Sequence, residues 1–494
     1  MSKCRRCIRV TTVPAVCVIL SPITAHAHYM TTPYVLPVPF WLYVYGCAVT
    51  LVVTFAILGY FFGNPAARSD FRYRDVRPTE LWAFAGRCGL WLLRAGAVAC
   101  LLLTIVSGLI GTLDPTRNIT MTLFWVVFML AFTYAIAFVG DIFELCNPWR
   151  TIAQWLERLR GVGPHSYLRY PRSLGYFPAF VFYVALIWIE LFVLPNPRVI
   201  ASALLAYTVI TVIGAAMFGV PIWFKYAEFF GVFFRQIGTI APVEYRQSVD
   251  RRQVSVHLRP PFVGALLERP DNFGLVLFVL FMLASTSYDA IHDTEMWLLL
   301  YWKGLIVLAQ PLWGHDMTKS QDLLMRWFAI YKHAGLLLAP LIYLGVYVLA
   351  IGMTKKLAKT SISITQLALQ FIPSLIPIAF VYNVCHYYTM LLSEIVNMPV
   401  LATDPFGFGW NIFGVELPVP SYLDMSTIWH TQVALILTGH VASVYLSHKI
   451  GLRVFPSRRA VILSQIPLLI LMVAYTAIGL YILSLPLSVS ELRD

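Results

Sequence analysis

The sequence predicts an all-α protein: a polytopic transmembrane helical bundle of about ten spans, with one additional re-entrant or interfacial helix. Three observations lead to this prediction. Of the 494 residues, 59% are hydrophobic and only 12% are charged, a composition typical of chains embedded in lipid. Runs of about 20 apolar residues, the length that crosses a bilayer as a helix, recur along the chain. The charged residues lie mainly in the short segments between these runs.

Ten segments meet the length and composition of a membrane span. They are residues 40–62, 89–110, 120–140, 177–194, 199–221, 273–287, 334–353, 364–384, 428–447 and 461–484. The segment 273–287 is short, so we expect it to start earlier or to be tilted. The loop 222–272 is the longest on its side, and its polar, basic stretch 245–259 is expected to face lipid headgroups.

The distribution of basic residues predicts the orientation of the bundle. The net charge of +12 does not indicate nucleic-acid binding, because the basic residues lie where the orientation signals of membrane proteins lie. Loops on one side of the predicted membrane carry 24 Lys and Arg residues, and segments on the other side carry 7. Because cytoplasmic loops are enriched in Lys and Arg, both termini of the mature chain are predicted to be extracytoplasmic.

Residues 1–27 have the pattern of a secretory signal peptide, which leaves 28–494 as a single transmembrane helical-bundle domain. Four basic residues precede an apolar stretch at 10–23, and Ala25-His26-Ala27 forms a cleavage site. Cleavage after Ala27 would make His28 the first residue, and a terminal histidine chelates copper through its amine and its imidazole. The eight cysteines are scattered and are expected to be small apolar side chains rather than a disulfide framework.

The segment 288–333 combines histidines and carboxylates at a predicted membrane surface. It carries His292, His315 and His333 near Asp289 and Asp293. If the first part is helical, Asp289, His292 and Asp293 share one face, because residues three and four apart are neighbours on a helix. Its apolar part, 297–312, is too short for a span and is predicted to be the re-entrant or interfacial helix.

Imidazoles and carboxylates together indicate a metal site on the extracytoplasmic side. We expect residues that are distant in the sequence to converge there on a divalent metal ion, zinc or copper, that would lower the pKa of a bound water and make it a hydrolytic nucleophile. The candidate catalytic residues are Asp289, His292 and Asp293. The candidate metal ligands are His28, His292, His315, His333, His386 and His430. The alternative is that these groups form interfacial hydrogen bonds and orient the loops.

Three further features bear on function. The outer loop at 385–427 contains no Lys or Arg, and its aromatic tract at 406–410 is expected to pack as a lid and to shape an apolar substrate pocket. His440 lies in the middle of a predicted span, where an ionisable residue is a candidate for function. Glu190 and Asp141 lie near span ends and are interpreted as structural residues.

Several stretches resemble a family of bacterial multi-pass membrane proteins labelled fenitrothion hydrolase. They are LPVPFWL at 36–42, VVTF at 52–55, GDIFELCNPWR at 140–150, STSYDAIHDT at 285–294, WHTQV at 429–433, GHV at 439–441 and QIP at 465–467. The resemblance covers most of the chain. It departs from the family pattern after His28, where Tyr29 replaces the usual glycine.

The resemblance implies a hydrolase of the bacterial plasma (inner) membrane that cleaves an aryl phosphotriester, with a second membrane subunit as a possible partner. It transfers no catalytic residues to this chain. The partners expected are therefore the lipid bilayer and an apolar small-molecule substrate, and no nucleic acid. Two other functions stay open: a copper-binding or redox membrane subunit that uses His28, and a transporter without chemistry in which His440 lines the path.

Overall fold

Long apolar helices dominate the structure. The computed structural model describes residues 39–61, 74–76, 80–159, 166–247, 254–268, 270–307, 317–415 and 424–484. Within these ranges, nine helices are long and apolar enough to cross a membrane. The chain is therefore a multi-pass membrane protein with an all-α transmembrane bundle, and the predicted fold class is confirmed.

The nine long helices are α1 (Phe40–Phe61), α2 (Glu80–Ile110), α3 (Ile119–Val139), α7 (Pro197–Phe218), α11 (Gly274–His292), α13 (Met317–Ala358), α14 (Ile364–Thr403), α15 (Met425–Val454) and α16 (Arg458–Ser484). A tenth apolar helix, α6 (Phe177–Phe192), has 16 residues and is shorter than a usual span. The ten predicted spans thus correspond to the nine long helices and α6.

Short helices and three strands complete the described chain. The short helices are α4 (Phe143–Cys146), α5 (Pro148–Leu159), α8 (Val220–Tyr226), α9 (Phe229–Gly238), α10 (Val263–Leu267) and α12, which covers residues 295–307. The strands are β1 (Arg74–Val76), β2 (Val243–Gln247) and β3 (Val254–Leu258).

Contacts between loops show which loops lie together at each end of the bundle. At one end, Arg458 Nη2 donates to the carbonyl oxygen of Tyr60 at 2.9 Å, so the end of α1 meets the start of α16. At the other end, the main-chain N–H of Thr112 donates to the carbonyl of Phe406 at 2.8 Å. The first end carries the loops rich in basic residues and is called the arginine-rich end below. The second carries His292, His386 and His430 and is called the histidine end.

A small antiparallel sheet lies at the arginine-rich end. The strand order is β1-β3-β2, and Tyr245 of β2 pairs with Val256 of β3. Strands β2 and β3 form a hairpin. At its base, Arg259 Nη1 donates to the Glu244 carboxylate at 2.9 Å and stabilises it. The stretch 245–259, predicted only as a polar headgroup-facing segment, therefore contains a β-hairpin that also pairs with β1 from the α1–α2 connection.

Two helical hairpins enter the bundle from the arginine-rich end and turn back at half its depth. One consists of α4 and α5, and the other of α8 and α9. Trp149, at the start of α5, donates its indole N–H to Thr208 Oγ1 at 2.9 Å, and Thr208 lies halfway along α7. The turn between α8 and α9 reaches the neighbouring residue Tyr207. The sequence analysis predicted that residues 222–272 form a loop at the membrane surface. This prediction is wrong for α8 and α9, which are helices packed inside the bundle.

The tips of these two hairpins are joined by the buried carboxylate of Glu228. Glu228 has no exposed surface and caps α9 by accepting hydrogen bonds from the main-chain N–H groups of Phe230 and Gly231. It also accepts from Asn147 Nδ2 at 2.8 Å and from the Tyr207 hydroxyl at 2.6 Å. Four donors satisfy this carboxylate, which is the condition for burying a charged group without a large penalty.

An aromatic core holds both hairpins against α3. The rings of Trp149 and Phe230 stack with centroids 4.8 Å apart, and Phe143 meets Phe234 at 4.7 Å. Phe128 of α3 lies 5.1 Å from Phe230. Aromatic pairs of this kind each contribute about 0.5–1.5 kcal/mol beyond their buried area, so the core fixes the hairpins in position.

Replacing Asn147 by Ala is expected to destabilise the bundle. The change removes the Nδ2 donor to Glu228 and the Oδ1 acceptor of the Arg150 N–H. Losing a hydrogen bond to a charged group costs about 1.5–3 kcal/mol. The free energy of unfolding, measured by denaturing-detergent titration in mixed micelles, should fall by that amount. The exposed Gln366→Ala variant is the control, and equal stability of the two variants would contradict the assignment.

Candidate functional site

Asp289 is a buried carboxylate in the last turn of α11. The residue is 7% exposed, and α11 packs against α6, α13 and α14. The predicted span 273–287 continues as helix to His292, so Asp289 and His292 lie on a helix rather than in a loop. A carboxylate buried among apolar helices needs hydrogen-bond donors, because its desolvation is otherwise costly.

The donors come from two consecutive residues of α14. His386 Nε2 lies 2.7 Å from Asp289 Oδ2, and the Tyr387 hydroxyl donates to the same oxygen at 2.5 Å. Both lengths are in the range of charge-assisted hydrogen bonds. Because a carboxylate only accepts, Nε2 is the protonated nitrogen of His386 in this contact. The predicted convergence of Asp289 and His386, 97 residues apart in sequence, is therefore present in the structure.

His292 extends the group toward the surface. Its Nδ1 donates to the main-chain oxygen of Asp289 at 2.7 Å, and its Nε2 lies 3.3 Å from Asp293 Oδ2. Asp293 is in turn 3.5 Å from Lys332 Nζ of α13. The three predicted catalytic residues, Asp289, His292 and Asp293, thus lie in one continuous set of contacts that begins in the bundle and ends at its surface.

Glu190, which the sequence analysis interpreted as structural, lies near the end of α6, a helix that packs against α11. We call Asp289, His292, His386 and Tyr387 the Asp289 cluster.

Two of the predicted histidines make their recorded contacts outside the Asp289 cluster. α15 contacts α14 through Ile428 and Gln432. His430 lies about 200° around the helix from Ile428, at 100° per residue, and is exposed beside Tyr43 of α1, with 3.4 Å between Nε2 and the Tyr43 hydroxyl. His333 packs its ring 4.4 Å from that of Phe192 on α6. The convergence expected for His333 and His430 is not seen, while His28 and His315 lie outside the described residues.

The described residues do not assemble a metal centre on their own. Across the ranges given above, no three His, Cys, Asp or Glu side chains are placed to hold one ion. The separation of 2.7 Å between Asp289 Oδ2 and His386 Nε2 is a hydrogen bond, whereas two ligands each about 2.0–2.1 Å from zinc stand farther apart than that. This arrangement does not fit a bound zinc or copper ion, and the metal stays a prediction that involves His28 or His315.

The aromatic tract at 406–410 packs against the α2–α3 connection. Asp404 accepts hydrogen bonds from the main-chain N–H groups of Phe408 at 2.9 Å and Trp410 at 3.2 Å. Although burial raises the pKa of Asp404, these N–H groups lower it below its usual value. The rings of Phe406 and Phe408 stack at 5.6 Å, and Phe408 stays half exposed. The tract is a packed surface loop as predicted, while its role in a substrate pocket stays a prediction.

His440 lies in the bundle interior. It is completely buried, and its Nδ1 donates within α15 to the carbonyl of Ile436 at 2.9 Å. Its Nε2 has no hydrogen-bond partner among the described residues. Tyr382 of α14 is an aromatic neighbour, with ring centroids 6.2 Å apart. His440 is therefore separate from the Asp289 cluster in its contacts.

A small cavity of about 10 Å³ lies between α3, α6, α9, α11 and α14. Its polar lining comes from Thr133, Tyr183 and Asn383, and Oδ1 of Asn383 is buried with no partner among the described residues. A space of this size with several polar groups has room for one water molecule.

Comparison with known proteins identifies no relative of this chain: no protein-family model, no curated protein and no solved structure matches it.

Proposed function

We propose that this protein is a membrane-embedded hydrolase that cleaves an organophosphorus ester, an aryl phosphotriester, at the Asp289 cluster. The observation that carries the proposal is the buried hydrogen bond of 2.7 Å between Asp289 and His386. A carboxylate that orients an imidazole is the arrangement that makes histidine an effective general base. The sequence resemblance to proteins labelled fenitrothion hydrolase supplies the substrate class.

In the proposed reaction His386 activates a water molecule. Because Nε2 of His386 donates to Asp289, Nδ1 is the nitrogen that takes the proton of the water. As the proton leaves, the water oxygen attacks phosphorus, the bond from phosphorus to the aryl oxygen breaks, and the aryloxide departs. The proton then passes from His386 to the aryloxide or to solvent. Tyr387 keeps Asp289 in position by donating to the oxygen that binds His386.

A divalent metal ion, zinc or copper, is a separate part of the proposal. When bound, it would polarise the phosphoryl oxygen or lower the pKa of a water. Its ligands would come from His292 and from His28 or His315. The steps assigned above to His386, Asp289 and Tyr387 do not require it.

We place the site on the extracytoplasmic side of a bacterial plasma membrane, with both termini on that side. Supporting this, the loops at the arginine-rich end carry 24 basic residues and the opposite segments carry 7. The Asp289 cluster lies at the histidine end, where an apolar substrate could reach it from the lipid or from the extracytoplasmic solution. A second membrane subunit, which the same resemblance implies, is a further part of the proposal.

A second candidate function is copper binding or redox chemistry at the mature amino terminus. It is favoured by the position of His28 directly after the predicted cleavage site. The helix that follows, α1, begins at the histidine end, where Tyr43 contacts His430.

Replacing His386 by Ala is expected to lower hydrolysis of an aryl phosphotriester by about 10²–10⁴-fold, the usual contribution of a general base. The measurement is aryloxide release by detergent-purified protein. Asp322→Asn, an exposed carboxylate on α13 at the same end, is the matched control and should keep the wild-type rate. An unchanged rate in His386→Ala, or no hydrolysis by the wild-type protein, would refute the proposal.

Elemental analysis of the purified protein tests the metal separately. Zinc or copper is expected in stoichiometric amount, and His292→Ala should reduce the bound amount by removing one imidazole ligand. A preparation free of metal that still hydrolyses the ester would exclude the metal and leave the assignment of His386 standing.

A further inference from the structure

The segment 405–415, which follows α14 at the histidine end, exposes four large apolar side chains. Phe408 and Trp410 are each 53% exposed, Ile412 is 61% exposed and Phe413 is 75% exposed. The segment contains no charged residue. Single exposed apolar side chains are normal, whereas a group of this size within a few residues marks a surface that contacts lipid or protein. We call these four side chains the apolar loop surface.

The loop has a defined conformation because Asp404 binds its main chain. The Asp404 carboxylate accepts hydrogen bonds from the N–H groups of three consecutive residues, Phe408, Gly409 and Trp410. The ring of Trp410 lies edge-on at 5.4 Å from that of Phe408 and at 5.7 Å from that of Phe406. Asp404 thus directs its charge to main-chain groups, and the rings of Phe408 and Trp410 are held together at the surface.

The main chain of the loop is bound to the ends of two membrane spans. The N–H of Thr112, which follows the end of α2 at Ile110, donates to the carbonyl of Phe406 at 2.8 Å. The N–H of Ile119, the first residue of α3, donates to the carbonyl of Pro405 at 3.2 Å. Because spans end where the hydrocarbon core gives way to the headgroups, the loop lies at that height.

Gly407 allows the close approach of the loop to the α2–α3 connection. Its φ of +72° is unfavourable for a residue with a side chain, and a Cβ atom at this position would collide with Thr112 Cγ2. The position of the loop is therefore set by its main chain and by Gly407. Substitutions of the exposed side chains should leave that position unchanged.

The apolar loop surface continues the lipid-facing side of α2. Leu102, Val106 and Ile110 are exposed and four residues apart, so they lie on one face of this span. Leu113, in the connection to which the loop is bound, is exposed as well. An exposed apolar row on a membrane span contacts acyl chains, and the loop extends that row at its end. This continuity favours lipid over a second copy of the chain or another protein as the partner of the loop.

We propose that the apolar loop surface inserts into the boundary between headgroups and acyl chains in the leaflet at the histidine end, and anchors the α2–α3 side of the bundle there. Aromatic side chains are favoured at this boundary, because their rings bury apolar area while the indole N–H of Trp410 can donate to headgroup oxygens. Lipid is then the partner of these side chains, in place of the substrate pocket predicted from the sequence. The anchor does not depend on the proposed hydrolysis.

Quenching of tryptophan fluorescence by brominated lipids tests this position. The purified protein is reconstituted into phosphatidylcholine vesicles that carry bromine in either the upper or the lower part of the acyl chains. The difference between wild type and Trp410→Phe isolates the emission of Trp410. Upper bromines are expected to quench it about twofold more than lower ones, because the ring lies at the boundary. Trp429→Phe is the control: Trp429 is buried, so its emission should be quenched by neither lipid.

A second reporter keeps the test decisive if Trp410→Phe alters the packing of the loop. Phe413→Trp adds an indole at the most exposed of the four positions. Its added emission should also be quenched by the upper bromines and should be insensitive to iodide in the aqueous phase. Emission quenched by iodide and by neither lipid would place the loop in water. Emission that none of the quenchers reaches would mean that protein covers the loop, and either result would overturn the proposal.

Discussion

The hydrogen bonds that Asp289 accepts from His386 and Tyr387 are the interaction on which the histidine end depends. They join α11 to α14 through a carboxylate that is almost completely buried. In the low-dielectric interior of a bundle such bonds are strong, and an unpaired carboxylate there is costly. The positions of His386 and Tyr387 relative to α11 follow from this constraint.

A second buried carboxylate, Glu228, shows by contrast why the Asp289 cluster is the better functional candidate. Glu228 accepts from four donors, two of them main-chain N–H groups that do not titrate. It joins two hairpins and has no acidic neighbour among these partners. Asp289 instead accepts from an imidazole and a phenol, which are both groups that titrate. The first arrangement fixes a structure, whereas the second can exchange protons.

The sequence predicts the bundle well because the length of an apolar run is a direct physical requirement of the bilayer. It also predicts Asp289 and His292, since their spacing of three places them on one face once the helix is extended. His430 was grouped with them because it lies at the same end, but its direction depends on which face of α15 meets α14. Tyr387 was missed because an aromatic residue in an apolar helix usually indicates packing.

The two helical hairpins, α4–α5 and α8–α9, were not predicted from the sequence for a different reason. The apolar stretches of α4, α5, α8 and α9 are too short to be recognised as spans, and the contact that positions them joins Asn147 to Glu228 across 81 residues. A pairing of this kind depends on tertiary packing around Trp149 and Phe230 rather than on any local pattern.

A double-mutant cycle between Asp289 and His386 tests the central claim most directly. The free energies of unfolding of Asp289→Asn, His386→Ala and the double variant are measured in mixed micelles against the wild type. Because the two side chains share one buried bond, the account predicts a coupling free energy of about 1–3 kcal/mol. Additivity of the two single effects within about 0.5 kcal/mol would contradict it.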